Sequence, residues 1–452
     1  MKSPMPASVL RSSARLLLSI AAAVAAATLR PAPAAEPSEK SLVAAIRANE
    51  PAVAADPRFV AAIRKLDQLR GELEFDAAGR LIGVDLASDR VSVSDAEIPL
   101  LAALPNLKRL RLSGGGITTA GAKQIAAIGG LTDLTLLNAQ VDNDGLGQLA
   151  GLGNLSALSI QRSALVTDAG LVHLGRLPKL TSLGLLDLNV TDAGLARLKD
   201  LTRLRVLDLR GCAQVTSGGL QQLRAVKGLK VLRLRGYRID DATLAMLKDF
   251  PALTGLVIEE ASIGDAGLAS LGSLPLEDLG LFRCYRITDE GLRHLARLAG
   301  LRQLSLRDVP ITGEGLVHLR GHQKLAVLRL NETGVGDAAL AHLKGLKGLT
   351  RLELRQTQTG DAGLADLAGL AELAYLDLEN TRVTDAGLAR LAGLGKLQVL
   401  NLKLNAGVSD AAVERLGKLR GLKTLGVAQT GITPEGLRKL AALLPGCRVD
   451  GP

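Results

Sequence analysis

The chain has 452 residues, a formal charge of +10, 47% hydrophobic residues and only 2% aromatic ones, with no tryptophan. The length suggests two or three domains, but a fixed internal period overrides that count, because stacked repeats grow without closing a single core. Past the N-terminus the apolar residues are spaced rather than continuous and the cations are mixed with acids, which argues against a membrane span or a nucleic-acid surface and predicts leucine and alanine layers too uniform for a large ring.

Met1 to Ala34 begins with Lys2, Arg11 and Arg15, continues with an apolar stretch from Leu16 to Leu29, and ends in Ala32-Pro33-Ala34. That order is the grammar of a cleaved secretory signal, and the stretch is shorter than the ~17 residues a spanning helix needs. The expectation is export to the periplasm, cell envelope or medium, with an uncleaved anchor as the alternative. No stable membrane insertion is expected after cleavage. Losing the four cations of this segment lowers the formal charge to +6.

Residues 35–71 read as a linker and two short helices, with Ser38 and Asp56 as N-caps, Pro57 at a first helical position, and Pro51 and Gly71 as breakers. Residues 72–106 hold a predicted hairpin, Glu72 to Phe75 against Leu81 to Leu86, and a divergent first repeat. Such a cap covers the open edge and first apolar layer of a solenoid.

From 107 to 444 fourteen units follow one another, beginning at Leu107, Leu131, Leu155, Leu180, Leu204, Leu229, Leu253, Leu276, Leu301, Leu325, Leu349, Leu373, Leu397 and Leu422. In the unit Leu373 to Lys396, the period of 2 turns Leu376 and Leu378 inward and Tyr375, Asp377 and Glu379 outward. A helix start comes next. Thr118, Thr167, Thr191, Thr216, Thr288, Thr312, Thr384, Thr433, Ser94, Ser409, Asp142, Asp240, Gly264, Gly336 and Gly360 are the expected N-caps, and only Ser94 to Glu97 has capping-box spacing. Most units place glycine three residues after the cap, as at Gly387, which predicts close approach to the neighbouring unit. Residues 445–452 are expected to close the stack with a strand.

This pattern, L-x-x-L-x-L followed by a small residue and T-D-x-G-L, resembles the leucine-rich-repeat family across residues 81–449. Cys212 and Cys284 stand at the small-residue position, as in the cysteine-containing subtype, whose members often act as substrate receptors of ubiquitin ligases. Residues 36–80 lack the leucine and proline pattern of an F-box, and exported bacterial repeat proteins are the nearer likeness. The resemblance implies an α/β solenoid: a right-handed horseshoe with a parallel sheet on the concave face, helices on the convex face and ligands on the concave side.

The chemical candidates each have a plainer account. His173, His294, His318 and His342 recur one per unit, but neighbouring convex helices lie too far apart for two imidazoles to share a metal. Cys212 and Cys284 are three units apart, beyond disulfide reach, and are expected to be buried free thiols. The repeated aspartates suggest calcium less well than helix capping. Ser113 to Gly116 lacks the lysine and hydroxyl of a phosphate loop. No cofactor, metal or catalytic residue is implied.

The outward strand positions remain, Asp208 and Asn331 among them, and thirteen are the candidate binding residues: Arg210, Arg233, Arg235, Glu259, Phe282, Arg307, Arg329, Arg351, Glu353, Arg355, Tyr375, Asp377 and Glu379. Aromatics and arginines are the residues that interfaces favour. The expectation is a non-enzymatic recognition scaffold for a protein partner, with a glycan as the alternative ligand. A ubiquitin-ligase-like substrate receptor and an exported hydrolase are the competing readings.

Overall fold

A computed structural model describes residues 56–88 and 92–451. The expected signal, the linker and the helix expected near Ser38 lie outside the described residues. The first described element, helix α1 (Pro57–Gln68), starts as its sequence requires: Asp56 accepts from the Arg58 N–H at 2.8 Å, and proline follows at the first position. Its buried face is Phe59, Ala62, Ile63 and Leu66, which lies against the first apolar layer.

Seventeen strands form one sheet among the described residues. They are β1 (Glu72–Phe75), β2 (Leu81–Leu86), β3 (Arg109–Ser113), β4 (Asp133–Leu137), β5 (Ala157–Gln161), β6 (Ser182–Leu186), β7 (Val206–Arg210), β8 (Val231–Arg235) and β9 (Gly255–Glu259). Then come β10 (Asp278–Phe282), β11 (Gln303–Arg307), β12 (Val327–Arg329), β13 (Arg351–Glu353), β14 (Tyr375–Asp377), β15 (Val399–Asn401), β16 (Thr424–Gly426) and β17 (Arg448–Asp450). β1 and β2 pair antiparallel, and each later strand lies parallel to its predecessor in the chain. The sheet is open, and equivalent leucines stay in register, as Leu352 opposite Leu376 and Leu400. A one-residue slip would turn every leucine to water, so the apolar alternation sets the pairing.

Convex segments connect the strands and bury their leucines on the same core, which runs unbroken from Phe59 to Leu444. These segments are shorter and tighter than amphipathic α-helices. Six hold a short α element, such as Asp385–Leu388, followed by a 3-10 turn, and Asp289–Arg297 and Glu314–Leu319 are 3-10 throughout.

Three expectations need correction. Phe250 is fully buried, so the core does admit a ring. It stands three residues before a repeat start, in the column that Leu152, Leu346 and Leu370 fill in other repeats. Thr312 is not an N-cap: the 3-10 turn there begins later, with Gly313 at the cap. At Ser94 the expected contacts form, the hydroxyl accepting from the Ala96 N–H at 3.3 Å and the Glu97 carboxylate from the Ser94 N–H at 3.0 Å, although the first α-turn starts only at Ile98. A further capping box, not expected from the sequence, is at Asp240 and Thr243, where aspartate and threonine replace the serine and glutamate of the usual pattern.

Candidate binding surface

Strand alternation sends every second side chain of the sheet to its open face, and the register arranges these in three rows. Along β7 to β14 the middle row is Asp208, Arg233, Val257, Gly280, Ser305, Arg329, Glu353 and Asp377. A cavity of about 380 Å³ opens over this part of the sheet. Eleven of the thirteen residues singled out from the sequence line it, and Arg235 and Glu379 do not. Arg235 pairs with Asp187, and Glu379 accepts from Asn401 at 2.9 Å.

Carboxylates hold the arginines in place. On one wall Arg210 donates twice to Asp208, at 3.0 and 2.9 Å, and reaches two strands on to Glu259 at 3.1 Å. Burial works against its charge, but the two acids keep it firmly protonated. On the other wall Glu353 accepts from Arg329 at 3.0 Å, from Arg351, and from Asn331 at 2.8 Å. Burial would raise the Glu353 carboxyl, yet Arg351 and Arg329 hold it below its ordinary value. Arg351 also stacks 3.6 Å above the Tyr375 ring. Glu332 joins Arg307, at 3.0 Å, to Arg355. Such networks fix guanidinium groups before any ligand arrives, which lowers the ordering cost of binding.

Other groups are left wanting. Burial raises the Asp377 carboxyl to about 6, assisted by Glu353 and Glu379, and raises the Tyr375 hydroxyl to about 12. Burial also raises Asp278, which has no hydrogen-bond partner among the described residues. Asp278, Gln303 and Ser305 line the cavity and were not among the sequence candidates. Their outward parity was readable. The hollow beside them was not, because its shape depends on which side chains lean over Gly255 and Gly280: a Cβ would stand 3.2 Å from Val231 at the first and 2.7 Å from the Phe282 ring at the second. Tyr237 and Tyr285 follow β8 and β10 and are 70% and 61% exposed, so all three tyrosines of the chain stand at this face or its rim.

Residues 103–126 match the family described as Leucine Rich repeat. No curated protein matches the sequence. In structure the chain is similar to an internalin of Listeria monocytogenes, at 22% identity and a TM-score of 0.50, over 79% of this chain and 97% of that one. It is similar to a leucine-rich-repeat protein of Leptospira interrogans at 18% identity and 0.50, over 80% and 95% of the two chains. The fold is a leucine-rich-repeat solenoid. A chain of the yeast Rad7 and Elc1 complex is similar over 99% of this chain and 98% of its own length, at 17% identity and a TM-score of 0.52.

Within this leucine-rich-repeat frame, the other sequence candidates serve the stacking of repeats. Aspartate after the cap reaches the next repeat: Asp168 accepts from the N–H and hydroxyl of Thr191, and Asp192 does the same for Thr216. Cys212 and Cys284 are buried free thiols, raised to about 11 by burial, and Cys212 donates to the Leu185 carbonyl of the preceding repeat. Among the described residues no group of three or more His, Cys, Asp or Glu is placed to hold a metal ion. Likewise no described helix is long and apolar enough to cross a membrane. Gly114, in the glycine run, is pressed on the Val93 backbone, where a Cβ would stand 2.0 Å from the Val93 carbonyl oxygen.

Proposed function

We propose that this chain is an exported, non-enzymatic recognition scaffold that binds a protein partner along the concave face between β7 and β14. The observation that carries the reading is the cavity there, whose arginines are held by Asp208, Glu259, Glu332 and Glu353 while Phe282 and Tyr375 stand among them. Preorganised arginines and aromatics beside a desolvated hollow are what binding hot spots are made of. Fold by itself assigns no function. The yeast neighbour belongs to a complex of two proteins, a case of this fold assembling with another chain. Cys212 and Cys284 at the small-residue position support the cysteine-containing subtype. Export rests on the pattern of Met1 to Ala34.

A photo-crosslinking residue placed at Phe282 tests the binding face, with the convex position His318 as control. In native extracts Phe282 should give a discrete protein adduct and His318 none. Adducts from His318 alone, or from neither, overturn the reading. The N-terminus of the natively produced protein tests export: a mature chain beginning near Ala35 supports it, and an intact Met1 in the cytosol refutes it.

A further inference from the structure

The middle of the concave face is where its side chains thin out. Gly255 and Gly280 line the cavity here, opposite Asp278 and Val257 in the register, so two outward positions of β9 and β10 carry no side chain of their own. Three polar side chains surround this hollow without a hydrogen-bond partner among the described residues. Arg233 on β8 meets only Asp208, at 4.0 Å, and Asp278 on β10 faces Gln303 on β11 directly across the register. Their neighbours Arg210, Arg329 and Arg351, by contrast, are all tied to carboxylates.

The unmet groups specify a ligand. Arg233 offers only donors, Asp278 only acceptors and Gln303 both. Asp278 lies in the field of both Arg233 and Arg329. An anion would therefore face an unpaired carboxylate and a cation would face unpaired guanidinium, each at an electrostatic cost in a partly desolvated site. An uncharged group with paired donors and acceptors satisfies both. Beside these groups the Phe282 ring lies over Gly280, where a Cβ would stand 2.7 Å from its Cε2, so that only glycine leaves the ring its place. The Tyr375 ring is covered by Arg351, which leaves Phe282 as the aromatic surface available to a ligand in the cavity. A flat apolar plate next to mixed donors and acceptors matches a pyranose, which has a C–H face and a rim of hydroxyls. The volume of about 380 Å³ lies within the range of small-ligand sites.

We propose that the hollow between β8 and β11 binds one neutral sugar unit, which stacks on Phe282 and whose hydroxyls bond to Asp278, Gln303 and Arg233. The inference rests on the concave face being the recognition surface and adds that part of what it recognises is carbohydrate.

Binding of the full chain to immobilised glycans tests it. The probes are neutral hexose and N-acetylhexosamine oligosaccharides, their sialylated and sulfated forms, and a glycopeptide beside its bare peptide. At least one neutral glycan should bind, and the charged forms should bind no better. Asp278→Ala and Gln303→Ala should each weaken binding about tenfold or more with no fall in melting temperature, since neither side chain has a partner to lose. Gly280→Val, by displacing Phe282, should abolish it. Binding of no neutral glycan, binding unaffected by Asp278→Ala and Gln303→Ala, or equal binding of the bare peptide overturns the proposal. The Phe282 crosslink separates the two readings. A protein adduct without glycan binding removes the sugar subsite alone, and loss of both removes the concave-face reading as well.

Discussion

The carboxylate of Asp361 caps the helix of the following repeat: it accepts from the Thr384 N–H at 2.8 Å and from the Thr384 hydroxyl at 2.6 Å. The same bond joins Asp385 to Ser409 and Asp410 to Thr433, so the helix starts are stitched together along the convex side. Gly387 makes room for it, because a Cβ there would stand 2.8 Å from the Asp361 Cγ and 2.9 Å from its Cα. Gly387→Ala should therefore lower the melting temperature although alanine gains up to ~1 kcal/mol in helix propensity, and Gly387→Val should lower it further. Part of the alanine cost should vanish in an Asp361→Ala background. Strict additivity in that double-mutant cycle would show that the carboxylate is not the obstacle.

Asp377 should make the fold less stable as its carboxyl ionises. Its folded value of about 6 lies above the ordinary 3.8, because burial disfavours the charge. Between these values the native state binds more protons than the unfolded one. Stability then falls as pH rises through the window, and the penalty is complete above it. Asp377→Asn should accordingly stabilise the protein at pH 7.5 by roughly 1–3 kcal/mol and have little effect at pH 3.5. Chemical denaturation at the two pH values decides, and an equal effect at both would exclude ionisation as the cause.

Leu404 is strained. It has φ of 62° and is 42% exposed, in a column where the residue leaving the strand turns left-handed in repeat after repeat. Asn138 and Asp187 accept that conformation readily, and Gly211 fills the same place. A leucine does not, and Leu404→Gly should stabilise the protein by about 1 kcal/mol. A lowered melting temperature would mean that the exposed side chain does more than its backbone costs.

His322 takes the convex position that other repeats give to Leu298 or Leu346, and it is buried. Its two ring nitrogens face the carbonyl oxygens of Leu319 and Leu295 at 3.2 and 3.1 Å. Both carbonyls already accept a backbone N–H, from His322 and Leu298, so the imidazole is dispensable to them. His322→Leu should raise the melting temperature by a few degrees, since about 1 kcal/mol shifts a domain by that much. A marked fall would show that the imidazole holds the repeat together.

The repeat made most of the fold legible. Alternation at Leu376 and Leu378 predicts the strand and its register, and the same parity marks Tyr375 and Asp377 as outward. Cap chemistry was legible where a threonine stands beside a helix start and at Ser94, and misread at Thr312, where the turn begins later. The candidate surface was half legible. Arginine and tyrosine announce themselves by type, whereas Asp278 and Gln303 matter only because of the hollow beside them, and an empty space has no letter.

The sequence by itself determined the solenoid, the inward leucines and the set of outward positions, because each follows from a local period of 2 and a spacing of 23 to 25 residues. Only the tertiary structure decided which outward residues meet. Arg210 finds Glu259 49 positions away, and Glu353 gathers Arg329 and Asn331 from the preceding repeat, 24 and 22 positions back. Asp361 reaches past its own helix to Thr384. Stacking brings residues one and two periods apart within hydrogen-bond distance, and side-chain length and charge then choose among them.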